Sequence, residues 1–347
     1  MNSLYFRLFS NCIPVKGATS GIICDLENNL FFEIPNSLIE VIVHTQDNFI
    51  SIEKIKKTYD YETYCNILSF FENLSNQNFG FFTKDPHIYN KLNLIWDSPQ
   101  KITNAILEIN KQTQFDVNNV INQLEEFGCS ALEFRFLDIC NLDFIDKILM
   151  NYNNSTINCF IIMLNHSSVI DEKELYTFYR KHSRIGVLVL YIGNQKTNLL
   201  SINKDFNIKI KQNKLTSFMN EEISSEKFIV NIRSFSEAIN YNLGLNRKIS
   251  ITYNGEVKNH INHKKSFGYI QKNKIQEIIE SKDFQQQWYI SHDKVEICKD
   301  CQYRYICPDT SEIIKINNKL LKINRCKFNP YENIWQNNQD NNYNTNN

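Results

Sequence analysis

The tightest constraint in this chain is the spacing Cys298-x2-Cys301-x5-Cys307-x18-Cys326 toward its C-terminus. A Cys-x2-Cys pair brings two thiols within reach of one metal, and two further thiols complete a closed, soft donor shell. The chain has 10 cysteines in 347 residues. The other six, Cys12, Cys24, Cys65, Cys129, Cys140 and Cys159, are scattered, mostly among apolar neighbours, and read as small buried hydrophobes. In a reducing compartment clustered cysteines point to metal or redox chemistry rather than disulfides. Structural zinc prefers two close pairs, whereas here one pair is followed by two singles, with Pro308 after Cys307. One 4Fe–4S cluster is therefore expected, with zinc as the alternative. Tyr303, Arg304 and Tyr305 lie between the thiols and either cover the site, donating hydrogen bonds toward sulfur, or simply pack. His260, His263 and His292 are nearby candidates for an additional ligand.

The remaining chain is long enough for two or three domains. Strand-like runs at 4–8, 21–26 and 30–34 precede a short helix that Asn36 and Ser37 can cap. A helix at 51–59 follows, then one capped by Asp60 with Tyr64, Leu68, Phe71 and Leu74 on one stripe, then a strand at 79–82. These are the elements of a winged-helix-like domain over 1–95. Over 96–240 strands and helices alternate: strands at 102–109, 131–137, 157–164 and 185–192, and helices from Asp116 to Gly128, at 143–150 and at 171–182. Segments 206–210 and 228–232 are read as two more strands. This βαβα order predicts a parallel sheet, and the continuous apolar strands predict cover on both faces. The expected fold class is α/β, an open or incomplete (β/α) barrel. In 241–335, Asn254-Gly255 between strand-like runs predicts a hairpin, followed by a helix at 274–281 and the cysteines. The Asn-rich stretch 336–347 is expected to be a disordered tail.

Lys+Arg and Asp+Glu both number 38, for zero formal net charge, so nucleic acid is not the expected partner. No run approaches the roughly 20 apolar residues of a membrane helix, and the first ten residues read as no signal peptide. A cytoplasmic protein is expected. There is no Walker loop and no Gly-x-Ser-x-Gly, so no ATP site and no serine-hydrolase site is assigned.

At Gly255, Cys298, Cys301, Cys307 and Cys326 the chain resembles the SPASM domain, the cluster-binding extension of peptide-modifying radical SAM enzymes. That domain combines Gly-x4-Cys with a later Cys-x2-Cys-x5-Cys-x3-Cys and a final Cys. Here His260 stands where the first of these cysteines is expected and Ser311 where the fourth of the later run falls. The resemblance implies that the four cysteines are the set of the second auxiliary cluster, that the first cluster is missing, and that His260 is a possible substitute ligand. It also implies a barrel of the radical SAM type. That family holds its reactive cluster with Cys-x3-Cys-x2-Cys after the first barrel strand, but the loop here is NKQTQFD at 110–116, with no cysteine. Radical catalysis is therefore not expected.

The whole chain is similar to the SPASM maturase of grasp-with-spasm systems, in Lys16-Gly17-Ala18-Thr19, Ile23-Cys24-Asp25-Leu26, Phe79-Gly80-Phe81-Phe82-Thr83 and Asn246-Arg247-Lys248. The similarity implies two partners, a precursor peptide bound through its leader and an ATP-grasp ligase that cross-links peptide side chains. Two other readings remain open. Glu133 and Arg135 alternate with Leu132, Phe134 and Phe136, and could line the pocket of an enzyme or form a salt-bridged or exposed strand face. A zinc-stapled, DNA-binding winged-helix regulator is the third.

Overall fold

The computed structural model describes residues 3–139, 142–165, 172–193, 207–217, 222–324 and 326–336. The chain opens with β1 (Tyr5–Leu8), β2 (Cys12–Lys16), β3 (Ser20–Asp25) and β4 (Leu30–Pro35), followed by α1 (Asn36–Asp47), α2 (Ile52–Thr58), α3 (Tyr61–Asn76) and β5 (Gly80–Thr83). β2, β3 and β4 form an antiparallel sheet, and β1 pairs with β5. Ser51 and Asp60 cap α2 and α3, the side-chain oxygens accepting from Lys54 N and Thr63 N. The expected cap of α1 is absent. Pro35 precedes that helix, and the Asn36 amide instead donates to the carbonyls of Gly17 and Ala18. β2 was not expected, because Pro14 interrupts a run that would otherwise read as a strand. It is tolerated there because β2 lies at the edge of its sheet.

The middle of the chain contributes β6 (Asn104–Ile109), α4 (Val117–Glu126), β7 (Ala131–Ile139), α5 (Leu142–Met150), β8 (Cys159–Asn165), α6 (Glu172–Lys181), β9 (Ile185–Tyr191), β10 (Ile208–Lys211) and α7 (Ile232–Asn240). It is followed by β11 (Lys248–Ile251) and β12 (Val257–Lys258). One mixed, mostly parallel sheet of seven strands runs β10-β9-β8-β7-β6-β11-β12, with only β12 antiparallel. The expected strand at 228–232 is instead the approach to α7, whose N-cap Asn231 accepts from Ser234 N. A β-branched run was outweighed by a cap residue and a helical stripe.

Cover on both faces was expected, but the two faces differ. Leu107, Phe134, Ile162 and Leu188 share one core with Ile121 and Leu124 of α4, Ile145 of α5 and Leu175 of α6. The opposite face carries the register row Glu108, Arg135, Met163 and Val189. It is apolar toward β9, where Met163, Val189, Tyr191 and Leu215 cluster, and charged toward β6. The alternation in β6 and β7 is therefore a real division between faces.

The C-terminal part holds α8 (Ile275–Ile279), α9 (Lys282–Gln285), the hairpin of β13 (Ile313–Ile316) and β14 (Lys319–Lys322), and the short pair β15 (Phe328–Asn329) and β16 (Ile334–Trp335). Gly255 sits in the predicted turn between β11 and β12 at φ 85°, where a side chain is disfavoured. Residues 337–347, which contain nearly all of the expected tail, lie outside the described residues. Among the described residues no helix is long and apolar enough to cross a membrane.

Candidate metal centre

Cys298 begins a single 3-10 turn, Cys298–Asp300, entered through Ile297 in the left-handed region at φ 70°. The turn closes when Cys301 N donates to Cys298 O at 3.0 Å. Two more turns follow at once, with Arg304 N donating to Cys301 O and Ile306 N to Tyr303 O. This tight winding carries the chain to Cys307, which is 8% exposed. The β13–β14 hairpin then returns the chain to Cys326, just before β15.

The four thiols share one electrostatic neighbourhood. Burial pushes the Cys301 thiol up to about 12, and the charges of Cys298 and Cys326 add to the effect. Burial also raises Cys307, which feels Cys326, and Cys326, which feels Cys298. Lys322 acts on Cys301, Cys307 and Cys326 in the opposite sense. Its ammonium lies 2.6 Å from Asp309 Oδ2, both side chains 7% exposed. Burial works against both charges. Lys322 nevertheless holds the Asp309 carboxyl at about 2, and Asp309, Cys298 and Cys307 keep the Lys322 amine above the ordinary lysine range. Nothing in the sequence spacing singled out Lys322 or Asp309. The fold alone brings them to the thiols.

Among the described residues no three His, Cys, Asp or Glu side chains stand close enough to hold a metal ion as they are placed. The donor chemistry nevertheless fits an iron–sulfur cluster or zinc: four free thiols around a buried cation that offsets thiolate charge. Because burial favours the protonated thiols of Cys301, Cys307 and Cys326, binding would release protons there and draw the four sulfurs inward.

The other candidates fall in different places. Tyr303, Arg304 and Tyr305 do not direct their polar atoms at sulfur. Tyr303 OH bonds Glu33, Arg304 donates to Asp293 and to the carbonyls of Lys16 and Cys301, and Tyr305 OH bonds Asp293. His260 lines a polar cavity of about 510 Å³ with His263, Ser311 and Cys326, so of the four cysteines it shares that wall with Cys326 alone. Burial lowers the pKa of both imidazoles. His292, held at about 3 by burial, donates through Nδ1 to Arg304 O at 3.0 Å and leaves Nε2 buried without a partner.

On the charged face of the large sheet, Arg135 Nε pairs with Glu133 Oε1 at 2.5 Å, and Arg135 is 2% exposed. Glu108, fully buried, accepts from Ser217 Oγ, and its pKa is raised by burial against the pull of Ser217, Arg135 and Lys258. Glu133 and Arg135 were legible as a pair; Glu108 and Lys258 were hidden in strands that read as ordinary.

Residues 244–302 match SPASM, an iron–sulfur cluster-binding domain. The match takes in Gly255, His260, Cys298 and Cys301 and stops before Cys307 and Cys326. It covers well under half of the chain. No curated protein matches it.

Proposed function

We propose that this chain is an accessory maturation protein for a ribosomally made, post-translationally modified peptide, and that Cys298, Cys301, Cys307 and Cys326 hold one 4Fe–4S cluster. The observation that carries this reading is the SPASM match at 244–302 together with the four thiols in one electrostatic neighbourhood around Lys322. Such a cluster supplies either electron transfer or a structural staple. Six parallel strands, five of them adjacent in chain order, support an incomplete barrel of the radical SAM type. The cysteine-free loop 110–116 after β6 supports its use as a scaffold rather than a radical catalyst. Five strands and three helices in 1–95 support a winged-helix-like leader-binding domain. A largely apolar groove of about 690 Å³ between α1, β1 and β2, in a chain of zero net charge, suits a peptide better than nucleic acid. An ATP-grasp ligase is the partner that completes this reading.

The test is anaerobic purification with iron, sulfide and zinc determination. About four iron and four sulfide per chain, lost on Cys301→Ala, is the expected result. About one zinc without sulfide would replace the cluster with a structural zinc site. Failure of the purified protein to bind either the ligase or the precursor would remove the maturation role.

A second reading, a peptide-modifying enzyme in its own right, is favoured by one observation: Glu108, Glu133, Arg135 and Lys258 are buried or half-buried charges on one sheet face. Peptide modification without the ligase, abolished by Glu133→Gln, would decide for it.

A further inference from the structure

The turn that carries Cys298 and Cys301 is also the seat of the N-terminal sheet. Ala18 N donates to Asp300 O at 2.7 Å, and Arg304 Nη1 donates to Lys16 O at 2.7 Å while also holding Cys301 O at 2.9 Å. Gln302, which directly follows Cys301 and is fully buried, donates through Nε2 to Ser20 Oγ at 3.1 Å and to Asn333 Oδ1 at 2.6 Å. Thr19 Oγ1 donates to Pro330 O at 2.9 Å. Gly17 is required by this closeness: a Cβ there would lie 2.8 Å from Gln302 Oε1, 2.9 Å from Gln302 N and 2.5 Å from Ser20 O. Beneath these polar contacts, Val15, Ile22, Cys24 and Leu26 share one core with Tyr303, Ile306 and Phe328.

The same hairpin faces a different feature on its far side. Its first strand, β2, supplies Cys12, Ile13 and Pro14 to the wall of the 690 Å³ groove, opposite Ile42 and Val43 of α1. Residues 12–20 therefore connect two sites: one end lines the groove and the other is bonded to the backbone and side chains between the thiols.

We propose that residues 16–20 and 298–304 form one joint through which metal binding at the cysteines orders the groove of the N-terminal region. This rests on the metal-site reading above and adds a regulation to it. Drawing the sulfurs together fixes the backbone of 298–304, and with it the Asp300 carbonyl, the Arg304 guanidinium seated on the Cys301 carbonyl, and the side-chain amide of Gln302. Those groups hold 16–20, and 16–20 sets the position of β2. Linkage makes the effect reciprocal: whatever loosens 16–20 weakens metal retention by the same factor.

Hydrogen exchange on the full-length protein, loaded and chelator-stripped, tests this. The expected result is that stripping speeds exchange at 12–20 by about five- to tenfold, a typical coupling, while α3 is unchanged. The reciprocal arm uses Gln302→Ala, and Ser20→Ala as a milder variant that removes one acceptor and leaves all four cysteines. Both should hold metal more weakly than the parent in equilibrium competition with a chelator, by about fivefold for Gln302→Ala. Unchanged exchange at 12–20 after measured metal loss, or parental metal affinity in both variants, overturns the joint. A protein that takes up neither iron nor zinc overturns the metal reading itself and the joint with it.

Discussion

Lys322 and Asp309 form the most consequential pair of charges near the thiols. Each is nearly buried, so neither can fall back on water if the other is removed. Lys322→Met should destabilise the protein by about 3–5 kcal/mol, because it strands the Asp309 carboxylate in the interior. Lys322→Met combined with Asp309→Asn should regain most of that loss. Urea denaturation of the metal-free protein measures both, and a loss under about 1 kcal/mol for the single variant would show that solvent reaches the site. The imidazoles give a pH prediction at the same scale. Burial depresses His260, His263 and His292, the last to about 3 from 6.5. These bases are neutral in the folded protein at pH values where the unfolded chain binds protons. Their contribution is complete above about 6.5 and is lost as pH falls from there toward the depressed values. Stability should decline between pH 7 and pH 5, with His292 alone contributing a limiting slope of about 1.4 kcal/mol per pH unit. His292→Gln, whose amide can still donate to Arg304 O, should flatten that slope by one proton's worth. An unchanged slope would mean that His292 is not among the groups responsible.

Elements whose signals were local were the ones legible in the sequence. Asp60 and Asp116 mark the starts of α3 and α4 and do cap them, Asp116 accepting from Asn118 N and Asn119 N at 2.9 and 3.2 Å. Asp116→Ala should therefore lower stability by about 1 kcal/mol. A change below a few tenths would show that water or the neighbouring turn satisfies those amides equally well. Apolar runs located β6 to β9, and Asn254-Gly255 located the β11–β12 turn. The rest is decided by tertiary context or by weaker local signals. The β13–β14 hairpin is announced by Asn317-Asn318, both at positive φ (48° and 63°), between two short aliphatic runs. Pro14 hides β2, and a β-branched run masks Asn231 as the cap of α7. Of the candidate site, only the four thiols stand out from their spacing in the sequence. Lys322, Asp309 and the orphan Nε2 of His292 do not, because nothing local ties residues 13 or more positions apart to one buried point.

At the scale of the whole molecule, the expected boundary near residue 95 meets a core that crosses it. The first 95 residues contain one core of their own, built on Ile42, Ile55, Phe71 and Leu74 with Phe6 stacked on Phe71 at 4.3 Å. The other face of the β2–β3–β4 sheet places Val15, Ile22, Cys24 and Leu26 against Tyr303, Ile306 and Phe328, and these four are between 0% and 3% exposed. A fragment of residues 1–95 would uncover that face. Burial of a Val, Ile or Leu side chain is worth about 1.5–3 kcal/mol, so losing the cover of three such residues approaches the whole stability of a small domain. The fragment should therefore bind a hydrophobic dye strongly and unfold at lower urea, with a shallower transition, than the same region in the full chain. Adding residues 244–336 in trans should restore part of the lost protection at β3, since that segment supplies the missing face. A 1–95 fragment that unfolds cooperatively at the full chain's midpoint, with no dye binding, would mean that the first core suffices and that the contact with 298–304 is a docking of two finished units. The metal joint would then have to act across an interface rather than through a shared core, and stripping the metal would move exchange at 16–20 without moving it at Ile22 and Cys24.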